Sequence, residues 1–265
     1  MPEIKIRDIT MHYEISGKGL PLLFIHGLGS STIDWKPQTR EFSNYYKVIT
    51  VDLRGHGRTD KPKGPYSMEV FAEDVALLLK SLDAAPAHIV GLSMGAAVAF
   101  HLALDHPDVV RTICISNMSA AMPVKTFQQK KMYYMRVLIV RLLGMKKMGS
   151  VIASNVFPKP NQKPLRDTLE ERWAKNSKKP YLAALSALKN WSVMERISSI
   201  TCPVLVIHSE HDYSPLIHKE KYTALIPNAE LVKIPDSGHI VNIEKSDEYN
   251  RILKKFLSEN EKSKQ

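Results

Sequence analysis

Short apolar runs alternate with helical stretches over most of the chain, and this alternation limits the possible folds more than any other feature. Pro21-Leu-Leu-Phe-Ile25, Lys47-Val-Ile-Thr-Val51, His88-Ile-Val90, Val110 to Ser116, Pro203 to Ile207 and Glu230 to Ile234 have the length and composition of strands covered on both faces. Met68 to Leu82, Ser93 to His106, Lys219 to Ile226 and Val241 to Leu257 read as helices. Strands and helices in turn demand crossover connections, which build a mostly parallel sheet with helices on both faces. Ile4 to Ile6 and Thr10 to Ile15, closed by the turn Ser16-Gly-Lys-Gly19, add an antiparallel pair, so about eight strands are expected.

The alternation breaks between Met118 and Ser199. There Lys125 to Met148, Pro164 to Lys175 and Tyr181 to Met194 read as helices, punctuated by Pro158, Pro160, Pro164 and Pro180. The expected organisation is an α/β core of residues 1–117 and 200–265 carrying an inserted helical cap, residues 118–199. Charge follows the same division: residues 118–200 hold sixteen basic and four acidic side chains, against 21 and 23 in the remainder. Lys130, Lys131, Arg136, Arg141, Lys146 and Lys147 scatter around the helix instead of forming one stripe, which speaks for a solvated face and against an interfacial helix. Transient contact of the basic cap with lipid is the other reading; nucleic acid and stable membrane insertion are not expected. The apolar residues between these cations, Met132 to Leu143, are expected in part to line a pocket beneath the cap.

With 265 residues, 44% of them hydrophobic, the chain can bury a full core and is not a disordered or disulfide-built protein. No apolar run approaches the roughly 20 residues of a membrane span, and the first residues lack a signal-peptide core. Cys114 and Cys202 lie far apart in apolar runs with no metal-ligand spacing, so buried reduced thiols and a cytoplasmic protein are expected.

Chemistry concentrates where strands end. Gly91-Leu-Ser93-Met-Gly95 follows an apolar run and opens a small-residue helix, the context of a nucleophile elbow. A serine on so sharp a turn needs glycines two residues to either side, and the following helix aims its N-terminal amides and positive dipole end at the site. Asp212 follows the run ending at Ile207 and His239 the run ending at Ile234. Loops after parallel strands emerge at one sheet edge, so Ser93, Asp212 and His239 can meet there as nucleophile, acid and base. Glu210 is the nearest competitor for the acid, and Asn117 stands where an acid could also sit but carries an amide. Two backbone amides are needed for an oxyanion; Met94, after the nucleophile, and Leu28, in His26-Gly-Leu-Gly29, are the expected donors. His26 and His56 read as loop-fixing residues, Arg54-Gly-His-Gly-Arg58 lacks the pattern of a phosphate loop, and the cluster of His208, Glu210, His211 and Asp212 lacks metal-site spacing.

Taken together, His26-Gly-Leu-Gly, Asp52-Leu-Arg-Gly-His-Gly-Arg-Thr59, Gly91-Leu-Ser-Met-Gly95, Glu210-His-Asp-Tyr-Ser-Pro215 and Ser237-Gly-His239 resemble the α/β-hydrolase fold superfamily, in particular its small capped esterases and lactonases. The resemblance covers nearly the whole chain. It implies a Ser93, Asp212 and His239 triad, no metal or organic cofactor, and cleavage of an ester or lactone; the apolar cap residues favour a small substrate with an apolar acyl or ring portion. Serine at the elbow sets the chain apart from the branches that attack through aspartate. Carbon–carbon bond hydrolysis, cofactor-free perhydrolysis, monoacylglycerol-type lipolysis and a non-catalytic binding or sensing role remain open alternatives. Oligomeric state is not legible.

Overall fold

The computed structural model describes residues 2–262. Its centre is an eight-stranded sheet. In chain order the strands are β1 (Glu3–Ile6), β2 (Ile9–Ser16), β3 (Pro21–Ile25), β4 (Lys47–Val51), β5 (Ala87–Leu92), β6 (Val110–Ser116), β7 (Val204–Ser209) and β8 (Ala229–Ile234). They lie in the spatial order β1-β2-β4-β3-β5-β6-β7-β8. β1 and β2 pair antiparallel, as do β2 and β4, while every pair from β4 through β8 is parallel. The inner parallel strands are buried on both faces, every residue of β5 and of β7 being buried, whereas the edge strand β8 is only partly buried. That is why they read as continuous apolar runs and not as alternations.

Helices α1 (Lys36–Phe42), α2 (Met68–Ser81), α3 (Met94–Asp105), α8 (Leu216–Thr223), α9 (Val241–Glu244) and α10 (Ser246–Lys262) connect or follow the strands. Between β6 and β7 run α4 (Phe127–Leu138), α5 (Gly144–Val156), α6 (Lys163–Ala174) and α7 (Lys178–Leu188), with an isolated bridge between Ala121 and Ser192. Among the described residues no helix is long and apolar enough to cross a membrane.

Four departures from the sequence reading have local causes. The helix expected over Lys125 to Met148 is interrupted by a π turn, Ile139–Leu143, and restarts at Gly144, whose φ of 83° only glycine adopts cheaply. The helix expected over Val241 to Leu257 is broken at Lys245. A short helix over Lys36–Phe42, begun by Pro37 in its first turn, buries only Gln38 and Phe42 and leaves too brief a pattern to read. Cys114 is buried, its thiol pushed up to about 12 by burial, whereas Cys202 is half-buried and not buried as expected; no disulfide joins them.

Candidate active site

Ser93 stands between the end of β5 and the start of α3 with φ 54° and ψ −119°. A non-glycine residue with positive φ costs about 1–3 kcal/mol and persists only where its surroundings hold it. The surroundings do so here. The Ser93 amide donates to the Ser116 carbonyl on β6 at 2.9 Å. A Cβ at Gly91 would overlap the Gly95 carbonyl, and one at Gly95 would strike the Ile25 carbonyl of β3. Both glycines are thus required by close approach of backbone to backbone.

The loop after β3 runs beside the serine: a Cβ built on Gly27 would lie 3.3 Å from Ser93 Cβ. His26 holds this loop, its Nδ1 2.7 Å from the Gly27 carbonyl and its Nε2 accepting the Leu53 amide at 3.0 Å. Burial pulls its pKa down to about 4, so the ring is neutral and serves as one donor and one acceptor. Among the described residues no hydrogen bond engages the amides of Leu28 or Met94, the two expected oxyanion donors. His56 bonds the Arg54 carbonyl at 3.0 Å, and burial pulls it down to about 3. Arg54 is spent on the carboxylates of Asp8 and Asp74, at 2.7–3.0 Å, which leaves it no role toward a phosphate.

At the ends of β7 and β8 the structure joins two of the three expected residues. His239 Nδ1 lies 2.5 Å from Asp212 Oδ1, and both side chains are buried. Burial alone would raise the Asp212 carboxyl; the hydrogen bond and charge of His239, with the charge of Lys219, outweigh it and hold the group well below the usual carboxylate range. The second oxygen, Oδ2, accepts Lys219 Nζ at 2.6 Å and the Ser214 hydroxyl. Lys219 is fully buried, and its ammonium also meets His208 Nδ1 at 2.8 Å and Asn117 Oδ1 at 3.5 Å. Burial and the Lys219 charge both lower His208, which therefore accepts from the ammonium as a neutral ring. Asn117, at φ 49°, ties three strand ends together: its amide donates to Ser209 Oγ at 2.8 Å and to the His239 carbonyl at 2.9 Å. Glu210 instead accepts the Asp236 amide at 2.8 Å on the exposed side of the loop. Among the described residues no group of three or more His, Cys, Asp or Glu is arranged to hold a metal.

Ser93 and His239 share no direct hydrogen bond in this arrangement. Tyr213 stands beside the pair: its ring stacks on the imidazole of His239 with centroids 4.0 Å apart, and its hydroxyl lies on the side of Ser93. Such links are often loose in the resting state and tighten only around bound substrate. The roof is aromatic and cationic. Trp173 of α6 packs on Gly29, where an added Cβ would come within 2.9 Å of its ring, and Asn176 Nδ2 donates to the Gly29 carbonyl at 2.7 Å. The Arg136 guanidinium lies over the rings of Trp173 and Tyr181, at 5.9 and 5.4 Å, and donates to the Tyr181 hydroxyl. Tyr213 is expected to orient the imidazole. Tyr213→Ala should lower kcat/KM on an aryl ester at least tenfold, while Tyr213→Phe, which keeps the stack, should stay within about threefold; equal losses in the two variants would assign the effect to the hydroxyl.

The sequence reading gave no role at the site to Tyr213, Lys219, Arg136 or Trp173. A signal existed for one of them: Lys219 lies three residues before buried Tyr222 on the same face of α8.

Known proteins resemble this chain over most of its length. The putative carbamate hydrolase RutD of Serratia proteamaculans (strain 568) is 28% identical over 259 residues, covering 93% of this chain and 96% of the relative. The 3-oxoadipate enol-lactonase 2 of Acinetobacter baylyi is 25% identical over 259 residues, covering 94% and 95%. The crystal structure of the enol-lactonase from Burkholderia xenovorans LB400 superposes with a TM-score of 0.89 at 26% identity, covering 97% of this chain and all of that one. The profile described as alpha/beta hydrolase family matches residues 22–252, from within β3 to within α10, and the chain belongs to that family.

Proposed function

We propose that the protein hydrolyses a carboxylic ester or lactone through an acyl-enzyme. Ser93 Oγ attacks the carbonyl carbon while His239 Nε2 takes its proton, and the same imidazolium then protonates the leaving oxygen. Asp212, bonded to Nδ1, fixes the tautomer that leaves Nε2 free to accept and offsets the imidazolium charge. The amides of Leu28 and Met94 receive the oxyanion, each contributing about 3–4 kcal/mol to the transition state. Water, activated by His239, releases the acid. The observation that carries this reading is the strained Ser93 elbow on the same sheet edge as the His239–Asp212 pair. The enol-lactonase relatives support extending it to lactones.

The test is labelling with a fluorophosphonate, followed by turnover of 4-nitrophenyl acetate and of the aromatic lactone dihydrocoumarin. Wild-type protein should label at Ser93 alone, Ser93→Ala should not label, and at least one of the two substrates should turn over. Failure of the wild-type protein to label would replace hydrolysis with a binding role.

A further inference from the structure

The cap carries an apolar surface that no described residue covers. Among the described residues thirteen large hydrophobic side chains are exposed, and seven of them fall between Phe127 and Leu143. α4 buries none of its residues. Its inner side is set by Arg136 on Tyr181 and, just beyond, by fully buried Val140. The outer side presents Phe127, Tyr134, Met135, Leu138 and Leu142 in one stripe at helical spacing, with Phe127 84% and Leu142 71% exposed. Each of these would ordinarily be read as core, and a contiguous patch of them on a soluble surface marks an interaction site.

What surrounds the stripe selects the partner. Lys131 sits within it, Lys130 and Arg141 flank it, and Lys146 and Lys147 follow on α5, all five exposed. No acidic residue occurs anywhere from Val109 to Arg166. A second copy of the chain is a poor occupant, because a two-fold interface would set these cations against themselves. An anionic bilayer accepts both parts at once: apolar side chains enter the acyl boundary while lysine and arginine stems reach out to the headgroups. The expectation of a merely solvated face followed the scattered cations; the ordered stripe is the apolar one.

We infer that the outer face of α4 and the following π turn, bordered by five cations, is a docking surface for anionic lipid membranes. The inference is independent of the reaction at Ser93, since none of its residues belongs to the site. Its consequence is that the cap, and the cleft it covers, would be held at a membrane surface.

Flotation with vesicles tests it, using the full chain at about 100 mM salt with phosphatidylcholine alone or with 30% phosphatidylglycerol. Wild-type protein should partition at least tenfold more strongly to the anionic vesicles. Phe127→Ser/Leu142→Ser should lose at least tenfold of that partition while still hydrolysing or labelling as wild type, which shows the core intact. Lys130→Gln/Lys131→Gln/Arg141→Gln should abolish the preference for phosphatidylglycerol. Equal, weak partition to both vesicle types would overturn the inference. So would a concentration-dependent dimer, seen by light scattering, that the Phe127→Ser/Leu142→Ser variant disperses while vesicles recruit neither form.

Discussion

Ser93→Ala is expected to lower kcat on an aryl ester by about 10⁴- to 10⁶-fold with little change in KM, because the nucleophile acts only along the reaction path. His239→Ala should match it within about tenfold, since either loss disables the same step. Asp212→Asn should cost about 10³- to 10⁴-fold: the amide keeps the shape but cannot offset an imidazolium, and its N–H, donating to Nδ1, fixes the imidazole in the tautomer that leaves the proton on Nε2. Combining Ser93→Ala with His239→Ala should add almost nothing to either single loss. Additive losses in that double variant would mean the two residues do not act together, and the acyl-enzyme mechanism would have to be abandoned. Stability should move the other way in one case. Ser93→Gly removes a Cβ from a residue at φ 54°, so it should raise stability by up to about 1 kcal/mol while abolishing activity.

These expectations rest on residues that the sequence displays for physical reasons. Gly91 and Gly95 are legible because the elbow brings β5, α3 and β3 backbones so close that any side chain is excluded, and no other residue substitutes for absence. The strands are legible because burial on both faces leaves no alternation to mislead. Asp212 and His239 are legible because each lies in the loop that follows a strand of the parallel sheet. What escaped depends on packing between distant segments. Tyr213 is defined by the imidazole it stacks on, 26 positions away in sequence, and Trp173 by a glycine loop that lies before α1. The α4 stripe escaped for the opposite reason: its residue types are those of a core, and only the arrangement of α5, α6 and α7 shows that no described residue lies over it. Patterning tells which residues share a face, and the tertiary structure tells what that face meets.

Lys219 shows most plainly how tertiary placement changes the meaning of a residue. A lysine in an eight-residue helix reads as solvated, yet here its ammonium is enclosed between Asp212, His208 and Asn117. Burial pulls its pKa down, Asp212 pulls it up, and the net direction is down, so the folded state pays to keep this cation. Removing it should still be costly. Lys219→Met leaves Asp212 Oδ2 with the Ser214 hydroxyl and amide as its remaining partners and a buried charge without its neutralising cation. A loss of about 3–5 kcal/mol is expected, read as the shift in urea midpoint multiplied by m. The double variant Lys219→Met/Asp212→Leu should recover much of that loss, because two apolar residues need no compensation, while remaining inactive. The pH dependence follows from Asp212. Its folded pKa lies below its unfolded value near 4, so the stability it contributes is fully present above that value and is lost as pH falls toward the folded pKa. In Lys219→Met one of the causes holding the carboxyl down is gone, so this acid loss should be smaller and be complete at a higher pH than in wild type. If Lys219→Met and Lys219→Met/Asp212→Leu prove equally unstable at neutral pH, the lysine supports the site through packing alone, and the ion pair contributes nothing separate.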